Sequence, residues 1–256
     1  MAAAKVFITG GSSGLGEALA RHYAAAGATL GLFARRAPEL ARVAAALAPA
    51  QVFTYVGDVR DADALARAGA DFVDRCGPPD IVIANAGVSV GVQAGDADDL
   101  PVFRAVMDTN VLGLVQTFAP FVSAMTAARK GALVGVASVA GFRGLPGSGA
   151  YSASKAAAIT YLESLRVELR GSGVAVVTVC PGFIVTPMTA RNPYRMPFLI
   201  DADAAAAKIA AAVARRKRFC VVPWQMAWLG RLLRMLPRPL YDAVFVRVGR
   251  KPRAQR

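Results

Sequence analysis

The sequence predicts an α/β protein: a doubly wound parallel sheet of about seven strands, helices on both faces, and an added helical region at the C-terminal end. Three observations predict it. Short apolar runs bounded by Gly, Pro or Asp alternate with longer, alanine-rich amphipathic stretches. The runs lack the every-other-residue alternation of a half-exposed strand, as expected for strands buried on both faces. The links between runs are short, which favours strand–helix–strand crossovers. With 256 residues and 55% hydrophobic content, the chain is long enough to bury this sheet in one large core.

The elements follow in order. Residues 6–9 form the first strand, and a helix over 15–26 begins directly after a glycine-rich turn. Strands at 29–34, 52–56 and 81–84 are separated by amphipathic helices at 39–48 and 61–76. A long helix over 100–128 precedes a strand at 132–137, and a helix over 150–170 precedes a strand at 175–180. Asp201 is placed to begin a further helix, after which 219–223 supplies the seventh strand. No repeat or long Gly/Ser linker divides the chain, so a single domain spanning 1–256 is expected.

Composition removes several classes of function. Three scattered cysteines (Cys76, Cys180, Cys220) and one histidine (His22) leave no disulfide scaffold, no Cys/His metal cluster and no histidine-based triad. No secretory signal precedes the first strand, and no run reaches about 18 uninterrupted apolar residues, so a cytoplasmic location is expected. The net charge of +13 is uneven. Thirteen of the 30 bases and one of the 17 acids lie from Lys208 onward, which gives that stretch +12 and leaves +1 on the rest. Such asymmetry points to an anionic surface that the C-terminal fifth meets.

The first strand runs into Thr9-Gly10-Gly11-Ser12-Ser13-Gly14-Leu15-Gly16. Glycines there let the backbone approach a pyrophosphate, and the following helix offers free N–H groups and a positive dipole end. Its placement between strand and helix suits a Rossmann-like dinucleotide turn, the alternative being a structural turn with no ligand. A reader of the adenosine ribose is due about 20 residues further on, at the end of the second strand. Instead of Asp or Glu the chain has Phe33-Ala34-Arg35-Arg36. Guanidinium donors would stabilise a 2′-phosphate that a carboxylate would repel, so NADP(H) is expected over NAD(H).

Tyr151 and Lys155 lie one helical turn apart and share a face. Ser138 follows a strand, at the carboxyl edge of the sheet. A phenol beside an ammonium ionises more easily and can act as acid and base, while a serine hydroxyl polarises a carbonyl. By itself a Tyr-x-x-x-Lys spacing is frequent and carries little weight.

Taken together, Thr9 to Gly16, Asn85-Ala86-Gly87, Asn110, Ser138, Tyr151-Ser152-Ala153-Ser154-Lys155 and Pro181-Gly182 stand in one order at consistent spacings. The set resembles the short-chain dehydrogenase/reductase superfamily over about residues 5–189. The resemblance implies that Tyr151 exchanges the proton with the carbonyl or alcohol oxygen and that Ser138 orients that oxygen. Lys155 would bind the nicotinamide ribose and lower the tyrosine pKa, and Asn110 would hold a water linking Lys155 to solvent. It further implies cofactor contacts from Gly10, Ser12, Ser13, Gly14, Leu15 and Gly16, and from Asp58-Val59 at the adenine. Asn85, Ala86 and Gly87 would lie near the ribose, and Pro181, Gly182, Ile184 and Thr186 at the carboxamide. No metal is implied. Pairing into a homodimer or homotetramer is what the resemblance suggests for assembly.

Two C-terminal regions would set the substrate. The resemblance implies a substrate lid at about 187–200, where Arg191-Asn192-Pro193-Tyr194-Arg195-Met196-Pro197-Phe198-Leu199 is apolar with two arginines. A basic amphipathic extension is expected over about 224–256. In it Trp228, Leu229, Leu232, Leu233, Met235 and Leu236 cover one face, and Arg231, Arg234 and Arg238 an opposite stripe. A second segment over 240–248 ends among Arg250, Lys251, Arg253 and Arg256. Tryptophans, leucines and an arginine stripe suit a helix lying in a membrane surface, or one packed on the core or a partner subunit.

The expected activity is therefore NADP(H)-dependent interconversion of a ketone and a secondary alcohol on a hydrophobic or lipid-like substrate, at the inner face of a membrane. Ketosphinganine reductases and hydroxysteroid dehydrogenases share this general plan. The alternatives are a β-ketoacyl-carrier-protein reductase, whose acidic carrier the basic region would dock, and an NADP(H)-binding regulatory protein. A nucleic-acid partner is not expected, since the bases interleave with an apolar face and no recognition motif accompanies them.

Overall fold

A computed structural model describes residues 3–93, 95–190, 192, 194–246, 249 and 251–253. Of the residues singled out above, Arg191, Pro193, Arg250 and Arg256 lie outside these, as does position 248.

Seven parallel strands form one sheet in the order β3-β2-β1-β4-β5-β6-β7. They are β1 Lys5–Thr9, β2 Thr29–Ala34, β3 Val52–Val56, β4 Ile81–Ala84, β5 Ala132–Val136, β6 Ala175–Pro181 and β7 Phe219–Val222. Helices α1 Gly14–Ala25, α2 Ala37–Ala46 and α3 Ala62–Cys76 link the first four strands. Next come α4 Leu100–Met107, α5 Gly113–Ala127, α6 Gly149–Glu168 and α7 Ala202–Ala214. Two further helices, α8 Gln225–Met235 and α9 Arg238–Phe245, follow β7.

Each face of the sheet carries its own core. Leu19 of α1, Leu40 and Val43 of α2 and Ile209 of α7 are buried with Ile8, Leu30 and Val177 of the strands. On the opposite face, Leu65 and Phe72 of α3, Phe118 and Phe121 of α5 and Leu162 of α6 are buried with Phe7 and Leu133. Phe7 meets Phe72 edge-on at 5.5 Å and Phe121 at 4.8 Å between centroids, an aromatic seam that fixes α3 and α5 on β1.

The continuous helix expected over 100–128 is interrupted. Residues Asp108–Leu112 form a π-turn between α4 and α5, and Asn110 sits at its middle. The rod from 97 to 127 is long and apolar enough to cross a membrane by composition alone. Its apolar residues Val106, Leu114, Phe118, Phe121 and Met125 are buried in the body of the protein. It is a core helix of the sheet.

β1 connects outward to β2 on one side, while β4, its other neighbour, leads into the second half of the sheet. At this reversal the loops leaving the carboxyl ends of β1 and β4 diverge and open a crevice. The candidate site lies there.

Candidate active site

The loop after β1 begins with Gly10 at φ +72°, and Gly14, which opens α1, has φ +57°. Both values favour glycine. Gly16 serves a different purpose from contact with a ligand. It is buried, and a Cβ on it would run into the Gly10 carbonyl oxygen and lie 2.5 Å from Asn85 Nδ2. It therefore lets α1 start tightly against the strand. Asn85 ties the two diverging loops together by donating from Nδ2 to Thr9 O (3.1 Å) and Gly10 O (3.3 Å).

A cleft of about 440 Å³ runs along this edge. Gly10, Ser12, Ser13, Gly14, Leu15, Arg35, Arg36, Asp58, Val59, Asn85, Ala86 and Gly87 line one part of it. Ser138, Tyr151, Lys155, Pro181, Gly182, Ile184 and Thr186 line the other. Of the residues expected at the site, Gly16 and Asn110 stand behind this lining. Gly57, Val88 and Thr109 also line it and had no motif to mark them. Gly14 and Thr186 approach across the cleft: a Cβ on Gly14 would lie 3.3 Å from Thr186 Cβ.

At the β2 end, Arg36 donates to Ser13 Oγ at 3.0 Å and pairs with Glu39 at 3.3 Å. Arg35 lies 3.5 Å from Asp58, which is held more closely by Arg60 at 2.7 Å. The Arg60 hydrogen bond holds the Asp58 carboxyl below the ordinary carboxylate range, with the Arg35 charge assisting. Sequence reasoning missed Arg60. Its effect is that the Asp58 charge is offset by a guanidinium outside the arginine pair.

At the other end, Tyr151 lies in the first turn of α6 and Lys155 one turn on, its Nζ 5.8 Å from the tyrosine ring centroid. Lys155 is buried and donates to Val136 O at 2.8 Å. Desolvation pushes its pKa down to about 8. Burial raises the Tyr151 pKa, and a hydrogen bond from Ser138 opposes that rise. Ser138 is placed by its own turn: Ala140 N donates to its Oγ at 3.1 Å, and Oγ reaches Pro181 O at 3.4 Å.

Asn110 is buried beneath this set. Its Oδ1 accepts from Val88 N at 2.8 Å, and its Nδ2 donates to Val88 O and Ser154 Oγ, both at 2.9 Å. The side chain thus joins the loop after β4 to α6. π-turns often mark functional positions in helices, and this one brings Asn110 to the joint. Among the described residues no cluster of His, Cys, Asp or Glu is placed to hold a metal ion.

The sequence profile of the short chain dehydrogenases matches residues 4–195. The chain belongs to the short-chain dehydrogenase/reductase family. An uncharacterised oxidoreductase of Myxococcus xanthus is 41% identical over 240 residues, 92% of this chain and 94% of that protein. Levodione reductase superposes with a TM-score of 0.79 at 28% identity, over 89% of this chain and 99% of its own. An alcohol dehydrogenase from the archaeon Thermococcus sibiricus, solved with 5-hydroxy-NADP, gives 0.77 at 25% identity, covering 86% and 94%. Membership makes the protein an oxidoreductase and its cofactor a nicotinamide dinucleotide. The glycine-lined cleft, bounded by N–H donors at the start of α1 and by the Lys155 ammonium, has the shape and donors to fit one.

The C-terminal helices divide the amphipathic face expected there. Met226 and Gly230 are buried, with Leu229 and Leu233 half-buried beside them. Trp224, Trp228 and Met235 are exposed at 66%, 63% and 82%, and Leu232 lies exposed in the same stripe. Gly230 permits the contact, since a Cβ on it would strike the Phe142 ring. Arg143 caps α8 by donating to Leu233 O (2.5 Å) and Leu236 O (2.7 Å), and it stacks 4.1 Å from the Tyr241 ring centroid. Phe142 and Arg143 belong to the loop that leads from Ser138 to Tyr151, so the C-terminal helices are fastened to a loop of the candidate site.

Proposed function

We propose that this family member is an NADP(H)-dependent carbonyl reductase acting on a hydrophobic ketone at an anionic membrane surface. The observation that carries the reading is the arrangement along one cleft: Ser138, Tyr151 and Lys155 at one end, and Arg35 with Arg36 beside the glycine loop at the other. The bound nicotinamide supplies the hydride. Tyr151 gives its proton to the carbonyl oxygen as charge develops there, and the Ser138 hydroxyl holds that oxygen in place. Lys155, anchored on Val136 O, keeps N–H donors for the ribose hydroxyls and a positive charge beside the phenol as it becomes phenolate. Asn110 positions the loop after β4 against α6. Arg35 and Arg36 receive the 2′-phosphate, and Arg60 offsets the Asp58 charge that would otherwise repel it.

The membrane part of the reading rests on the exposed stripe of Trp224, Trp228, Leu232 and Met235, bordered by Arg231 and Arg234. Tryptophans at an interface and arginines toward lipid phosphates are what such a surface selects.

NADPH and NADH oxidation followed at 340 nm, against small ketones, steroids, long-chain oxo lipids and carrier-bound acyl chains, with and without anionic vesicles, tests the whole. NADPH-selective turnover of a long-chain ketone, raised by vesicles and lost ~10²–10⁴-fold in Tyr151→Phe, is expected. Turnover confined to carrier-bound chains would replace this substrate class with β-ketoacyl chains. Tyr151→Phe retaining full activity would sink the assignment of the acid.

A further inference from the structure

Beyond α9 the chain folds back onto the loop that follows Asn85-Ala86-Gly87. Gly91 N donates to Pro252 O at 3.0 Å, and Gly91 and Arg253 form a parallel bridge. The Arg253 guanidinium closes on Asp96 and on Asp99, the latter at 2.9 Å. The crossing requires glycine at 91, where a Cβ would collide with the carbonyl oxygens of Lys251 and Pro252. Main-chain pairing, a double ion pair and a glycine seat together make this segment a fixed wall.

That wall presents Lys251 to the catalytic tyrosine. Its Nζ lies 2.6 Å from Ser89 Oγ and 5.6 Å from the Tyr151 ring centroid. Tyr151 is therefore flanked by two ammonium groups, and only Lys155 has a task in the reading above. Lys251 is half-buried and brings three donors. Among the described residues it bonds Ser89 Oγ alone, and no carboxylate pairs with it. Burial accordingly holds its pKa below the ordinary lysine range. An ammonium withdrawn from water with donors to spare invites an anion. Tyr194, from the segment after β6, stands against the same wall, since a Cβ on Gly249 would lie 3.8 Å from Tyr194 Cβ. It packs edge-on to Phe183 at 6.3 Å and offers an aromatic side for an apolar chain.

We propose that Lys251 is a specificity-determining residue whose ammonium binds a carboxylate-class anion carried by the carbonyl substrate. The substrate is then an amphiphile: a carbonyl at Tyr151 and Ser138, an anionic group at Lys251, and an apolar remainder against the aromatic side. This assignment rests on the carbonyl-reductase reading, and its test separates the two.

The probes are a medium-chain γ-oxo carboxylate and its methyl ester, with wild-type protein, Lys251→Gln and Lys251→Arg. Calorimetric binding with and without NADP⁺ is measured beside NADPH turnover. The wild type is expected to prefer the acid over the ester by at least ~10-fold, in affinity and in kcat/KM, with the effect in KM. Lys251→Gln should bring that ratio near one, and Lys251→Arg should keep most of it. Equal binding of acid and ester by the wild type, binding of neither, or an unchanged ratio in Lys251→Gln, overturns the role of Lys251. Acid-selective binding that depends on Lys251, without turnover of any carbonyl, supports it and overturns the reductase reading instead.

Discussion

The Lys155 ammonium is 4% exposed and has a main-chain carbonyl, with no carboxylate, as its hydrogen-bond partner among the described residues. Its folded pKa near 8 lies below the ordinary lysine value of 10.5. Below about pH 8 the charge is present in both folded and unfolded chains, and the folded chain bears the full desolvation cost. Between 8 and 10.5 the folded chain sheds its proton first and the cost fades; above 10.5 it is gone. Lys155→Met should therefore stabilise the cofactor-free protein by ~1–3 kcal/mol at pH 7, with the gain shrinking toward pH 10. Thermal unfolding across that range measures it, and a destabilised variant at pH 7 would show that the bond to Val136 O outweighs desolvation. Arg35 and Arg36 act at the same scale. The double alanine variant should lower the NADPH-over-NADH preference in Kd by ~10–100-fold, the size expected for charge-assisted hydrogen bonds to a phosphate. Fluorescence titration with the two cofactors decides it, and an unchanged ratio would mean that the pair only solvates the start of α2.

At the scale of elements, the strands and their order along the chain were readable from composition because a strand buried on both faces is apolar throughout. What the sequence hid was set by packing over long separations. Periodicity located α8 and its two faces, but it could not say which part of the apolar face meets the core. Gly230 decides that, by admitting the Phe142 ring from a loop almost ninety positions earlier. The π-turn at Asn110 was hidden for a similar reason, as the 100–128 stretch keeps helical apolar spacing through it. Lys251 carried no signal either; it is one base in a basic run until Gly91 seats the chain beneath it. Because Trp224 and Trp228 project outward while Met226 holds the helix, removing the tryptophans should spare the fold. The double serine variant is expected to unfold within ~0.5 kcal/mol of the parent, as surface substitutions usually do. It should also sediment far less with anionic vesicles. Loss of stability comparable to a core deletion would instead assign the stripe to an interface between subunits.

For the whole molecule, the two halves of the sheet meet at the neighbouring strands β1 and β4, and the residues of the candidate site collect on that one edge. The charge lies elsewhere in the chain. Residues before Lys208 carry +1 and those from Lys208 onward +12, so the protein is a nearly neutral body with a cationic C-terminal fifth. That fifth also holds the exposed tryptophans and the wall bearing Lys251, so the proposed membrane contact and the proposed substrate anchor fall in one stretch of sequence. An amphiphilic ketone drawn from a bilayer would then travel a short way from the surface to Tyr151. Attraction of this kind is screened within a Debye length, about 8 Å at physiological salt and 3 Å at 1 M. Vesicle binding should consequently depend on both terms. Each base near the surface contributes ~1 kcal/mol on anionic lipid and little on neutral lipid, whereas the tryptophan term is insensitive to salt. Raising salt toward 1 M should release most of the protein from phosphatidylserine vesicles and leave a weak residual that the tryptophan variant lacks. Binding that ignores both salt and lipid charge would detach the basic region from the membrane and point to a partner subunit for the stripe.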